Sequence, residues 1–210
     1  GDISGQSLIP IGTVYDPFVL RGLDAFIYSV YSGAKFIVAG TPSGITLAPE
    51  GGAHQSTITP SVGVELPGVV LMEPAFGQAL DWMLCDAIAH VAGAKKNTAP
   101  DLSPNELAFY FRLTTRSIEQ QPFHDAKQLL GEATLRSQVL AGAYRLVDGR
   151  NALSKIDNHL APVVYLAASG AVMPEVLAAA KQLAEEGVVA HVVDITSLGR
   201  VFGSWQRTLK

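Results

Sequence analysis

In the first half of the chain, apolar residues recur at helical spacing in some segments and form short continuous runs in others. Apolar residues at near-helical spacing predict a helix over residues 17–32, which has Pro17 in its first turn, and a second helix over residues 76–92. Short apolar runs between turn-forming residues predict three buried strands, and these lie at 35–39, 69–72 and 109–113. Strands and helices therefore follow one another in this half.

The second half contains a clearer unit of the same kind. Residues 121–138 are weakly amphipathic, and residues 139–147 predict an edge strand. A strand at 163–168, a helix at 174–186 and a strand at 188–195 predict a βαβ unit with parallel strands. The chain is therefore expected to be an α/β protein with a parallel sheet flanked by helices. A composition shift near residues 148–161 divides it into a domain at 1–150 and the start of a second α/β domain at 160–210.

Composition narrows the classes of function. The 210 residues are 48% hydrophobic and 16% charged, which favours a buried sheet or a large subunit interface. A formal charge of −4 without a basic stripe argues against a nucleic-acid partner. No apolar run reaches the roughly 18 residues of a membrane helix, and no signal peptide begins the chain, so we expect a cytoplasmic protein. Cys85 is the single cysteine and is expected to be a small buried residue.

The segment 40–56 is the main candidate for chemistry. It is rich in Gly, Pro, Ser and Thr, so it is predicted to be a loop, and it follows the predicted strand at 35–39. Ligands of parallel sheets gather at the carboxyl ends of strands. Glu50 and His54 lie in this loop, separated by small residues, and an imidazole exchanges protons near neutral pH. A solvated histidine in a surface loop explains the pattern equally well.

A resemblance to a known family favours the functional interpretation. The motifs that carry it are Gly40-Thr41-Pro42-Ser43-Gly44, Pro49-Glu50-Gly51-Gly52-Ala53-His54-Gln55, Tyr15-Asp16-Pro17-Phe18 with Arg21, and the segment from Tyr110 to Thr115. In this order they resemble the pyrimidine-binding domain of the transketolase superfamily. The closest branch is the homodimeric pyruvate dehydrogenase (acetyl-transferring, decarboxylating) component, and the resemblance covers residues 8–200.

The resemblance implies a thiamine diphosphate cofactor, a Mg²⁺ ion and roles for four residues. His54 would hold or protonate a 2-oxo acid substrate. Phe18 would stack on the aminopyrimidine ring of the cofactor, and Tyr15 would line the same pocket. Glu50 would either hydrogen-bond at the site or only cap the following turn. For Phe18, packing in the core is an equally good explanation.

Two parts of such a site are not found in the sequence. The chain has Gly1-Asp2 but not the family's diphosphate- and Mg²⁺-binding motif, and the glutamate that activates the cofactor would lie upstream. No histidine has a second ligand at metal spacing, so no metal site is assigned to the chain itself. We therefore expect a piece of a longer protein that is inactive alone and that shares its site with a homodimer partner.

Three functions remain open at this stage. The first is oxidative decarboxylation of pyruvate or a similar 2-oxo acid, with the acyl group passed to the lipoyl group of an acyltransferase component in a multienzyme complex. The second is a transketolase or related sugar-phosphate enzyme, for which Arg116 is the obvious residue to bind an anionic group. The third is a non-catalytic interface or regulatory domain.

Overall fold

A four-stranded parallel sheet forms in the first part of the chain. The computed structural model describes residue 5 and residues 8–93, 108–152 and 161–209. The strands are β1 (Ile11–Val14), β2 (Phe36–Gly40), β3 (Val69–Met72) and β4 (Ala108–Arg112), and their order in the sheet is β1-β2-β4-β3. Val14, Gly40 and Arg112 are in register, so the carboxyl ends of these strands lie at one edge.

A three-stranded sheet forms in the second part. Its strands are β5 (Ala143–Val147), β6 (Val163–Ala168) and β7 (Val189–Ile195), in the order β5-β7-β6. The strands β6 and β7 are parallel, as predicted for a βαβ unit, whereas β5 runs antiparallel to β7. The predicted α/β class, with a parallel sheet flanked by helices, is confirmed.

The described part of the chain contains seven α-helices that connect or flank these strands. In chain order they are α1 (Leu23–Tyr31), α2 (Thr59–Glu65), α3 (Gly77–Val91), α4 (Gln121–Leu130), α5 (Glu132–Ala141), α6 (Met173–Glu185) and α7 (Leu198–Thr208). The predicted helix at 17–32 begins as a 3₁₀ segment, Asp16–Gly22, before α1. The strand predicted from residue 139 was wrong in its first part, because α5 continues to Ala141 and buries Val139 and Leu140.

The largest core lies around α3 and extends from the first sheet to the second. It contains Phe109 and Phe111 of β4 together with Val192 of β7. The expectation that Cys85 is buried was wrong, because Cys85 lies on the exposed side of α3. The buried side of that helix is formed by Ala79, Trp82, Met83, Asp86, Ala87 and Val91.

Some sequence predictions fall outside the described residues. These are the Gly1-Asp2 pair and residues 153–160 of the domain boundary. Among the helices that the structure describes, none is long and apolar enough to cross a membrane.

Candidate active site

Three of the predicted site residues meet at the carboxyl edge of the first sheet. Tyr15 follows β1, whereas Glu50 and His54 lie in the two short 3₁₀ segments that follow β2, Gly44–Glu50 and Gly52–His54. The Tyr15 hydroxyl donates to Glu50 Oε2 at 2.8 Å and lies 3.1 Å from His54 Nδ1. The distance between His54 Nδ1 and Glu50 Oε2 is 3.9 Å. The loop thus brings an imidazole, a phenol and a carboxylate together.

These contacts determine which nitrogen of His54 is left to exchange a proton with a ligand. The pKa of Tyr15 is raised, because partial burial disfavours the phenolate and the Glu50 carboxylate accepts its hydrogen bond, so the hydroxyl keeps its proton. Since that proton points to Glu50, His54 Nδ1 is the donor in its contact with Tyr15. The other nitrogen, Nε2, then accepts a hydrogen bond in the neutral ring and donates one in the imidazolium.

Phe18 lies beside this group and presents an aromatic surface. Its ring centroid is 5.2 Å from that of Tyr15, with the two rings edge to face, and the guanidinium of Arg21 lies 4.5 Å from the Phe18 centroid. Phe18 is 39% exposed, so packing in the core does not account for it. An exposed ring at this edge of a parallel sheet suits stacking on a flat heterocycle such as an aminopyrimidine.

A buried polar network, which was not predicted from the sequence, adjoins the cluster of Tyr15, Glu50 and His54. The carboxylate of Asp16 is fully buried and accepts hydrogen bonds from the hydroxyls of Tyr110 and Thr59. Arg112, the last residue of β4, contacts the same carboxylate at 3.4 Å through Nε and Glu73 Oε1 at 2.6 Å through Nη1. Asp16 reaches β4 by passing over Gly40, where a side chain would overlap its Oδ1. A charged residue inside the otherwise apolar predicted strand at 109–113 is the sequence signal from which this network could have been found.

The same network holds the loop that carries His54. The carbonyl oxygen of Ser56 accepts from Arg112 Nη2 at 3.2 Å and lies 3.0 Å from Thr59 Oγ1. The Ser56 hydroxyl accepts from the Gly44 amide at 3.0 Å. Ser56 has a φ of 44°, in the left-handed region that residues other than glycine seldom adopt. Contacts at both its backbone and its side chain therefore maintain a strained conformation two residues after His54.

The network continues towards the second sheet through Glu73. The pKa of Glu73 is raised because burial outweighs the opposing effect of Arg112, and the charge of Asp16 adds to the increase. The Glu73 amide donates to the carbonyl of Thr196, which follows β7. Asp194 of β7 is also fully buried, and burial raises its pKa to about 7, with a further contribution from the charge of Glu73. The charge of Asp16 therefore raises the pKa of Glu73, and the charge of Glu73 raises the pKa of Asp194 in the second sheet.

Arg116, His124 and His191 are not among the residues of this group. Both outer nitrogens of Arg116 contact the Glu175 carboxylate, at 2.8 and 2.6 Å, and the pKa of Glu175 is lowered by these bonds. His124 is exposed on α4, and the buried His191 lies 3.3 Å from Asp148. Within residues 8–93, 108–152 and 161–209, no group of His, Cys, Asp and Glu side chains is placed to hold a metal ion.

Comparison with known proteins gives matches among solved structures. The chain is similar to transketolase from Leishmania mexicana (TM-score 0.68, 17% identity, 96% of this chain and 25% of that chain). It is also similar to an R525L mutant of transketolase from Pichia stipitis (0.65, 20%, 90% and 23%) and to transketolase from Campylobacter jejuni (0.64, 19%, 92% and 25%).

The other two comparisons return no match. No family model matches the chain, and no curated protein does. The chain spans about a quarter of the length of the transketolases that it resembles. At these identities the likeness concerns the fold alone, and the chain has the α/β fold of the corresponding quarter of transketolase.

Proposed function

We propose that this chain is the pyrimidine-binding part of a thiamine-diphosphate-dependent enzyme that decarboxylates pyruvate or a similar 2-oxo acid and passes the acyl group to a lipoyl group. The observation that carries the proposal is the cluster of Tyr15, Glu50 and His54 beside the exposed ring of Phe18 at the carboxyl edge of a parallel sheet. A likeness in fold to transketolases supports it.

Each residue of the cluster has a distinct task in this proposal. Phe18 stacks on the aminopyrimidine ring, and Tyr15 lines the same pocket. His54 Nε2 hydrogen-bonds the carbonyl oxygen of the substrate and carries the proton transferred there, since Nδ1 is already engaged by Tyr15. Glu50 accepts the hydrogen bond of the Tyr15 hydroxyl and so keeps His54 Nδ1 as the donor to Tyr15. Bound thiamine diphosphate supplies a nucleophilic carbon for the carbonyl of the 2-oxo acid.

The proposal places the remaining parts of the site outside this chain. The diphosphate and Mg²⁺ would be held by residues that the chain lacks, in part from a homodimer partner. Exposed apolar side chains on β1 and α1 support such an interface, and they are Ile11, Ile27, Tyr28 and Tyr31. The lipoyl acyltransferase component and a cytoplasmic location belong to the same proposal.

Turnover by the intact protein tests the proposal. We expect pyruvate or 2-oxobutanoate to be decarboxylated with a dye as electron acceptor, and His54→Ala to lower kcat by about 100-fold or more. His124→Ala, which removes an exposed histidine on α4, is the matched control and is expected to leave kcat unchanged. Absence of turnover with any 2-oxo acid refutes the proposal. Equal turnover by the two variants favours a non-catalytic interface or regulatory domain.

A transketolase-like reaction is the second candidate function. The matched structures include transketolase from Pichia stipitis in complex with sedoheptulose 7-phosphate. Against it, Arg116, the obvious residue for a phosphate group, is held by Glu175 through both outer nitrogens. Transfer of a two-carbon unit from a sugar phosphate, in the absence of 2-oxo acid turnover, would establish this candidate instead.

A further inference from the structure

Arg112 connects three separate segments of the candidate site. Its side chain is 5% exposed, and its guanidinium reaches Asp16 through Nε, Glu73 through Nη1 and the Ser56 carbonyl through Nη2. Nη1 is closest to its partner, at 2.6 Å, and Nη2 lies 3.2 Å from the Ser56 carbonyl oxygen. Nε lies 3.4 Å from Asp16 Oδ2 and also 3.2 Å from Thr59 Oγ1. Each nitrogen of the planar group thus has a different partner.

Two of these partners are close in sequence to the residues that would touch substrate and cofactor. Asp16 directly follows Tyr15, and Ser56 lies two residues after His54. The Tyr15 hydroxyl and His54 Nδ1 are 3.1 Å apart although they belong to segments that follow different strands. Arg112 contacts both segments from the end of β4, a strand that is buried along its whole length between β2 and β3.

This geometry requires a guanidinium rather than any cation. Lysine carries one compact ammonium group, which cannot reach three acceptors that lie in three directions. A lysine at position 112 would still offset the negative charge of Asp16 and Glu73, so it separates the need for charge from the need for the planar donor set.

We propose that Arg112 is a positioning residue for the reaction, an inference that rests on the proposed function. By holding Asp16 and the Ser56 carbonyl at once, it sets the approach of the Tyr15 hydroxyl to the His54 ring. Because Arg112 is buried, it acts through these partners and not by direct contact with the reacting groups. Misplacement of a catalytic group by about 1 Å costs on the order of 100-fold in rate, so the effect of its loss should appear in kcat.

The test compares Arg112→Lys with Arg145→Lys in the intact protein. Arg145 is an exposed arginine of β5 that pairs with Asp148, so it controls for the loss of a guanidinium from a surface ion pair. We expect Arg112→Lys to lower kcat by about 10- to 100-fold while KM changes less than about threefold, and Arg145→Lys to change neither. The melting temperatures of both variants are measured to correct for the folded fraction. Equal kcat values after that correction, or a loss confined to KM, would overturn the inference.

A second measurement separates this inference from the proposed function. Hydrogen–deuterium exchange of residues 44–56 is compared in the same two variants, and faster exchange is expected in Arg112→Lys only. If the wild-type protein does not turn over 2-oxo acids, the proposed function fails, and this exchange experiment still tests the positioning role. Unchanged exchange in Arg112→Lys refutes that role whatever the substrate.

Discussion

Replacing Asp194 with asparagine should alter how stability depends on pH. The carboxyl group is fully buried, and its Oδ2 accepts a hydrogen bond from the Tyr144 hydroxyl at 2.7 Å. Burial raises its pKa from 3.8 to about 7, the Tyr144 hydrogen bond opposes this shift, and the charge of Glu73 adds to it. Asp194→Asn retains the shape and the acceptor oxygen but removes the ionisation.

The raised pKa determines the sign of the effect. Between pH 3.8 and about 7 the unfolded chain loses the Asp194 proton while the folded chain retains it. The unfolded state therefore binds fewer protons, and stability falls as the pH rises through this window. The contribution is fully present below pH 3.8 and is lost as the pH passes about 7. A shift of about three units corresponds to at most about 4 kcal/mol of unfolding free energy.

Urea unfolding of the intact protein at several pH values in this window measures the effect. We expect the fall in unfolding free energy between about pH 4.5 and about pH 7.5 to be smaller in Asp194→Asn by up to about 3 kcal/mol, since this window covers most but not all of the shift. Asp24→Asn, on the exposed side of α1, is the matched control and should leave the pH profile as in the wild type. Glu73 contributes in the same direction, since its pKa is also raised, and its contribution remains in both variants. Parallel profiles for the wild type and Asp194→Asn would refute the reasoning.

Two further substitutions test the candidate site. Gly40→Ala should destabilise the fold by about 1–3 kcal/mol in urea unfolding, because the added methyl group would overlap Asp16. Gly12→Ala is its control, since no described atom outside its chain neighbours lies within 4 Å of the added carbon, and equal stability of the two variants contradicts the overlap. Tyr15→Phe should lower kcat about tenfold, because His54 loses its hydrogen-bond partner, and an unchanged rate would show that this contact is not used.

Much of the fold could be predicted from hydrophobic periodicity. The helix predicted at 76–92 is α3, Gly77–Val91, and the strand predicted at 69–72 is β3 itself. Both elements bury apolar residues in the core, so their apolar positions follow the spacing of a helix and of a buried strand. The strand β1 could not be predicted, because it has four residues at the edge of the sheet and most of them are exposed. The sequence wrongly predicts a strand at 139–141, which belongs to α5, because apolar residues near a helix end also suit a strand.

The candidate site could be predicted only in part. Glu50 and His54 are four residues apart, so their proximity follows from the sequence. The buried network depends on contacts between distant positions, since Arg112 is 96 residues from Asp16 and 39 from Glu73. A charged residue in the predicted apolar strand at 109–113 could have indicated a buried cation that needs partners, but periodicity does not identify those partners.

The close approach of Asp16 to Gly40 has a consequence for evolution. The Asp16 carboxylate occupies the space where a side chain at position 40 would begin, so the two positions are coupled by exclusion. Related sequences should therefore covary here. Where position 40 carries a side chain, position 16 is expected to carry a smaller residue or one without a charge, and Arg112 would then need another anion or be replaced.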